Sequence, residues 1–231
     1  MLVSWDKLPQ EMKSEEVKAY YDILLNKKAS LLFKRIFDIV VSILMIVLLS
    51  WLFIVLAIAI KIDSRGPVFY RQERITSANK PFRIFKFRTM VDNADRMGSL
   101  VTVGKDNRVT RVGAKIRKCR LDEIPQLFNV LKGEMTFVGT RPEVKKYVDK
   151  YSNQMLATLL LPAGITSLAS INFKDEDGIL LNYSKSGVEV DEAYIKHVLP
   201  KKMEYNLKYM KDFNFCADIK LMIQTVVSVL K

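Results

Sequence analysis

The sequence predicts a mixed α/β fold, mainly helical, with one N-terminal re-entrant membrane helix, a short β-hairpin and amphipathic helices at the membrane surface. Three observations carry this expectation. Ile39 to Ile60 is a run of 22 residues without a charge. Basic residues flank that run on both sides. Two aromatic-rich segments, Val68 to Gln72 and Phe82 to Phe87, then lead into long stretches of helical apolar spacing.

Composition frames the rest. The chain has 231 residues, 49% apolar and 27% charged, which places it among folding chains and not among disordered ones. Its formal charge of +12 calls for an anionic partner: nucleic acid, anionic lipid or a phosphorylated substrate. Cys119 and Cys216 stand far apart and His197 is the single histidine, so zinc sites, disulfide frameworks and Cys-His nucleophile pairs are poorly supported. Carboxylates, lysines, arginines and hydroxyls must carry any chemistry.

Residues 1–33 read as an amphipathic extension, with Pro9 near a helix start and Val17, Tyr20, Tyr21, Leu24 and Leu25 at helical spacing. Residues 34–62 hold the membrane segment. A helix over the uncharged run reaches ~33 Å against a hydrocarbon thickness of ~30 Å, and its only small polar side chains are Ser42 and Ser50. A buried core helix of that length is unusual, and a cleaved signal peptide starts earlier and ends in small residues. Lys27, Lys28, Lys34 and Arg35 precede the run, while Lys61, Arg65, Arg71 and Arg74 follow it, diluted by Asp63 and Glu73. A spanning helix shows its basic excess on the cytoplasmic flank alone, so equal flanks favour a dipping hairpin that enters and leaves through one face. Ser50 is the expected break, with its hydroxyl bonding a carbonyl one turn back.

Residues 63–231 form the remaining domain. Thr76, Ser77, Asn79 and Pro81 join the two aromatic-rich strands into a hairpin. Leu127, Val130 and Leu131 make an apolar helical stripe after Pro125; Leu207, Met210, Phe213 and Phe215 to Leu230 make a longer, patchy one suited to core or membrane-surface contact.

Charge clusters mark the candidate site. Strand alternation would put Lys86 and Arg88 on one face, able to hold a phosphate or simply to guard a sheet edge. Arg108, Arg111, Arg117, Lys118 and Arg120 lead into Asp122 and Glu123, an acidic pair set among arginines. Adjacent helical residues point about 100° apart, so the pair does not face itself across a substrate. The two carboxylates suit a shared divalent cation, or one nucleophile with the other assisting, unless they are only a solvated helix start. Arg141 sits in the stiff turn Gly139-Thr140-Arg141-Pro142-Glu143, where a guanidinium can clamp a phosphate with two parallel bonds.

Taken in order, Lys34-Arg35 with Phe37-Asp38, the apolar helix, Asp63-Ser64-Arg65-Gly66-Pro67 with Arg71-Gln72-Glu73-Arg74, Lys86-Phe87-Arg88-Thr89-Met90, Leu121-Asp122-Glu123-Ile124-Pro125-Gln126, the Arg141 turn and Pro162-Ala163-Gly164-Ile165-Thr166 strongly resemble the bacterial sugar transferases. These are the small monotopic phosphoglycosyl transferases that begin capsule, exopolysaccharide and other surface-glycan assembly. The resemblance implies transfer of a sugar-1-phosphate from a UDP-sugar to undecaprenyl phosphate, release of UMP, and a requirement for Mg²⁺. It implies a cytosolic-face catalytic domain at the bacterial inner membrane, in contact with its lipids and not with nucleic acid; a homodimer stays open. By the same resemblance Asp122 is the nucleophile that carries a covalent phosphosugar. Glu123 is a metal ligand beside Asp122 or the group assisting the lipid phosphate, and Lys86, Arg117 and Arg141, with Arg88, bind phosphate.

Two places depart from the family pattern. Ser50-Trp51 stands where Ser-Pro is common, and Ala163 and Ser167 alter the stretch after Pro162. The residues from Asn172 to Val190, including Asp175, Glu176 and Asp177, stay unassigned, and with them the sugar. The alternative function is a non-catalytic, basic, membrane-associated scaffold, which needs neither carboxylates among arginines nor Mg²⁺.

Overall fold

The computed structural model describes residues 1–94, 106–173 and 176–230; Asp175 lies outside them. Helix α1 (Glu15–Leu25) starts where the Ser14 hydroxyl accepts the Val17 N–H, with Glu15 and Glu16 favourably placed at the positive end of the dipole. Its buried face, Val17, Tyr21 and Leu24, joins Leu8 and Met12 in a core shared with Val138, Leu160, Tyr209, Met210 and Phe213. The N-terminal residues are thus packed into the same core as the last helices of the chain.

Helices α2 (Lys28–Leu48) and α3 (Ser50–Asp63) meet at 61°. No single helix among the described residues is long and apolar enough to cross a membrane; the bent pair meets that test together. The bend falls at Leu49 (φ −93°, ψ 6°), directly before Ser50. Ser50 is the exposed first residue of α3, and among the described residues its hydroxyl bonds no carbonyl, so the bend does not use the expected side-chain bond.

Helix α2 is built inside out. Lys34, Asp38 and Ser42, spaced by four and therefore on one face, are 2%, 1% and 0% exposed, whereas Leu44, Val47 and Leu48 are more than 60% exposed. Lys34 Nζ donates to Val138 O at 2.7 Å and to Asp218 Oδ2 at 2.5 Å. Asp38 accepts from Thr136 Oγ1 at 2.7 Å and from the Phe137 N–H. Arg35 donates to the carbonyls of Val130 and Leu131, and Lys27 to that of Phe213. Three of the four upstream basic residues are therefore spent on protein oxygens, so the charge count used to orient the segment loses most of its first flank.

Strands β1 (Phe69–Thr76) and β2 (Lys80–Phe87) form the expected antiparallel hairpin, in register from Phe69 opposite Phe87 to Thr76 opposite Lys80. Ala78 and Asn79 take left-handed conformations in the turn. Phe87 packs on Phe53 and Phe69, fastening the hairpin to α3. Helix α4 (Arg111–Lys118) is capped by Thr110, and α5 (Gln126–Lys132) buries Leu127 and Val130 as the spacing predicts.

A second, parallel pairing was not expected: β3 (Met135–Val138) runs beside β4 (Ala163–Thr166). Each strand is four residues long, too short for alternation to register. A Cβ on Gly164 would overlap the Gly139 backbone, so this contact requires glycine. Ala163 is buried against Phe82, Ile84, Val130 and Met135. Ser167 has ordinary extended backbone and its hydroxyl accepts the Ser170 N–H, capping α7 (Leu168–Asn172); no glycine is needed there. Between β3 and β4 lies the short α6 (Lys145–Val148).

Helix α8 (Glu176–Lys185), which begins at Glu176, and α9 (Val190–Ala193) precede a single π turn, Tyr194–Val198, and α10 (Leu199–Asp212). The C-terminal stripe divides at Phe213. Met210 and Phe213 enter the core, while α11 (Phe215–Leu230) buries Asp218 and Leu221 and exposes Ile223, Val226 and Val227.

Candidate active site

The acidic pair sits in a single 3₁₀ turn, Leu121–Glu123, between α4 and α5. Arg120 before it is left-handed at φ 56°, a conformation that costs a non-glycine residue on the order of 1–3 kcal/mol. Leu121, packed with Ile116, Phe87 and Leu56, holds the turn in place. The tight turn aims the two carboxylates at different surroundings.

Glu123 Oε1 accepts from Lys86 Nζ at 2.9 Å and from an Arg141 terminal nitrogen at 2.6 Å. Burial works to raise its pKa, but Arg141 and Lys86 overcome that and hold it well below the usual carboxylate range. The same pair raises Arg141, while burial lowers Lys86 despite Glu123. Asp122 is 8% exposed and makes no side-chain hydrogen bond to another of the described residues. Burial raises its pKa, opposed by Lys86 and reinforced by Glu123. One carboxylate is committed to two cations; its neighbour is buried, more basic and hydrogen-bonded to no other side chain among the described residues.

Asp122 faces a cleft of about 390 Å³ whose wall includes Lys86, Arg88, Arg117, Tyr70, Gln72 and Arg74. Lys86, Arg117, Asp122, Glu123 and Arg141 are brought together as a group. Arg88 lines the cleft too, yet its guanidinium donates to the carbonyls of Arg65 and Ser64 at 2.5 and 2.7 Å and to the Ser64 hydroxyl at 3.0 Å. Arg88 follows Phe87, the last residue of β2, and its N–H still bonds the Val68 carbonyl at 2.9 Å; it lines the cleft together with Lys86 while its guanidinium bonds the end of α3. Gly66 (φ 123°) lies under it, where a Cβ would collide with the guanidinium. Ser50 is at the bend of the helix pair, away from this group.

Tyr70, Gln72 and Arg74 also line the cleft, a role the sequence did not assign to them even though the motif Arg71-Gln72-Glu73-Arg74 contains the last two. They alternate along β1, and that period of two was the available signal. Arg74 bonds Gln72 Oε1 at 2.6 Å and the Pro142 carbonyl at 3.2 Å. Glu143, buried behind Arg141, accepts from the Tyr194 hydroxyl at 2.5 Å and from Lys202 at 3.4 Å, pinning the turn that presents Arg141. Nothing local linked Glu143 to residues 51 and 59 positions away.

The donors for a cation are few. Among the described residues no three His, Cys, Asp or Glu side chains cluster suitably. Magnesium uses one or two carboxylates and completes its shell with phosphate oxygens and water, which Asp122 suits, and Glu123 only through the oxygen its cations leave free.

A family model described as bacterial sugar transferase matches residues 29–231. Over 200 residues the chain is 34% identical to the UDP-N-acetylgalactosamine-undecaprenyl-phosphate N-acetylgalactosaminephosphotransferase of Aeromonas hydrophila, an alignment covering 85% of this chain and 43% of that one. It is 34% identical over 223 residues to the UDP-glucose:undecaprenyl-phosphate glucose-1-phosphate transferase of Klebsiella pneumoniae, covering 94% and 44%. It is 31% identical over 200 residues to the uncharacterized sugar transferase EpsL of Bacillus subtilis, covering 87% and 88%. The chain spans less than half the length of the first two relatives and most of the third.

Proposed function

Because the chain belongs to the bacterial sugar transferase family, matched over residues 29–231, we propose that it transfers a sugar-1-phosphate from a UDP-sugar to undecaprenyl phosphate and releases UMP. The observation that carries this reading is the divided acidic pair: Glu123 neutralised by Lys86 and Arg141, Asp122 buried and uncommitted at the cleft. Relatives are named for glucose and for N-acetylgalactosamine, so the family leaves the sugar open.

In the first step an Asp122 carboxylate oxygen attacks the sugar-bearing phosphorus. The bond from that phosphorus to the bridging oxygen breaks, UMP leaves with the bond's electrons, and the sugar phosphate remains on Asp122. In the second step an oxygen of the lipid phosphate attacks the same phosphorus and Asp122 leaves as a carboxylate. Splitting the transfer avoids a direct encounter between two phosphorylated anions. Burial leaves the Asp122 carboxylate more basic than a solvated one, while Lys86, Arg117 and Arg141 offset the negative charge of the substrate. Glu123 is a positioning residue that holds Lys86 and Arg141 side by side. Magnesium, held by Asp122 with substrate phosphate, would supply further charge compensation at the diphosphate.

The same reading places α2 and α3 in the bacterial inner membrane, entering and leaving at the cytoplasmic face. Supporting it are the inside-out polarity of α2, the exposure of Trp51, Ile54, Val55 and Ile58 on α3, and the 61° bend. Solvent-facing leucines and valines on that scale are unfavourable in water and favourable in lipid.

The test is mass spectrometry after exposing the purified protein to UDP-sugars without lipid acceptor. A phosphosugar on the peptide carrying Asp122, lost in Asp122→Asn, is the expected result, with turnover abolished by chelation. Full activity in Asp122→Asn would sink the mechanism; absence of UMP release with every UDP-sugar would favour a basic scaffold instead.

A further inference from the structure

Beside the cleft runs a second, wider groove of about 770 Å³, within the size range of small-molecule sites. Its apolar wall is Ala59, Ile62, Val91, Val109 and Val112. The polar side chains in the wall are nearly all spoken for. Asp63 Oδ2 accepts the Val112 N–H at 2.9 Å, the Ser64 hydroxyl accepts from Arg88 at 3.0 Å, and the Thr110 hydroxyl accepts the Gly113 N–H at 3.0 Å. The guanidinium of Arg111, on the exposed first residue of α4, is left at the rim. Such a surface offers hydrocarbon contact along its length and, at its polar end, the Arg111 guanidinium beside the Asp63 carboxylate, whose pKa is held low first by its bonds to Thr110 and Val112 and then by Arg111.

Two further facts say what fits it. The groove begins at the last turn of α3, where Ile58 and the 82% exposed Ile62 continue the apolar face of that helix. It also adjoins the cleft, since Val91 lines both the groove and the space that Asp122 faces. An occupant must therefore be an apolar chain that comes out of the lipid layer and carries an anionic head able to reach Asp122. Ordinary phospholipids present a phosphodiester; a polyprenyl phosphate presents a monoester with oxygens free to react.

We propose that this groove binds the polyprenyl chain of the lipid acceptor, on the transferase reading above. Val91 is the threshold its phosphate crosses, and Arg111 the cation that meets it at the rim. The groove is thus an acceptor site separate from the residues that bind the donor.

The experiment uses the full chain in lipid nanodiscs, with Ala59→Trp to fill the groove and Val109→Asp to set a carboxylate in its wall. Neither residue contacts the acidic pair, so labelling of Asp122 by the UDP-sugar should match the unaltered protein in rate and extent. The KM for undecaprenyl phosphate should rise about 10-fold or more, as expected for blocked apolar contacts in a pocket. Unchanged acceptor KM in whichever variant retains full Asp122 labelling overturns the proposal. Independently of turnover, a photoreactive polyprenyl phosphate should crosslink to peptides containing Ala59 to Ser64 or Val109 to Val112. Excess undecaprenyl phosphate should suppress that crosslink and equal phosphatidylglycerol should not. Crosslinking elsewhere, or equal competition by phosphatidylglycerol, refutes the groove even if transfer occurs; crosslinking in the groove without sugar transfer refutes the transferase reading alone.

Discussion

Replacing Glu123 by glutamine tests the division of labour in the acidic pair. The carboxylate accepts two charge-assisted bonds, 2.9 Å from Lys86 and 2.6 Å from Arg141, while only 12% exposed. Breaking a buried ion pair costs ~3–5 kcal/mol. Glutamine keeps one acceptor oxygen, and Lys86 and Arg141 are 22% and 33% exposed and so partly screened, which brings the expected loss to about 2 kcal/mol. For a chain of this size that is a fall of about 4–8 °C in Tm. Glu123 is held below its unfolded pKa of ~4.3, so its contribution is complete above about pH 4.3 and is lost as pH falls through the lower folded value. Near neutral pH the Tm difference should therefore not vary with pH. The rate of Asp122 labelling should respond differently. Asp122 must be ionised to attack, and its raised pKa puts the acid limb of the rate above the ~3.9 of a free aspartate. Glu123→Gln removes a repelling charge and frees Lys86, and both effects move that limb to lower pH. The assay is a pH series of phosphosugar labelling beside thermal unfolding. An acid limb that stays in place in a variant with reduced Tm would refute the coupling of the two carboxylates.

Arg141→Lys keeps the charge but loses the planar fork, so steady-state kinetics should show kcat and kcat/KM falling together; unchanged kinetics would show that bidentate geometry is not used. Lys34→Met strands Asp218 in the core and should cost ~3–5 kcal/mol by chemical denaturation, with much of it recovered in Lys34→Met/Asp218→Leu. A single cysteine at Lys13, with Cys119 and Cys216 changed to serine, should resist a membrane-impermeant thiol reagent in intact cells and react after lysis. Labelling from the periplasm would show that α2 and α3 span the membrane.

The sequence by itself determined the elements with strong local signals. The hairpin was legible because both strands are eight residues long with turn-forming residues between, and α5 because Leu127 and Val130 recur at helical spacing after Pro125. The uncharged run marked the helix pair, and the family's motifs marked Lys86, Arg117, Asp122, Glu123 and Arg141, which the fold does gather. Three-dimensional proximity decided the rest. Four-residue strands carry no readable period, so β3 beside β4 came only from the fold. Lys34 and Arg35 looked like a charge flank because a sequence shows charge and not partners; their partners lie 95 to 184 residues away. Asp122 and Glu123 are neighbours of the same chemical type, indistinguishable by composition or spacing. Tertiary contact gives them different surroundings, because Lys86 from β2 and Arg141 from beyond β3 bond Glu123, while Asp122 is buried with no side-chain hydrogen bond to another of the described residues.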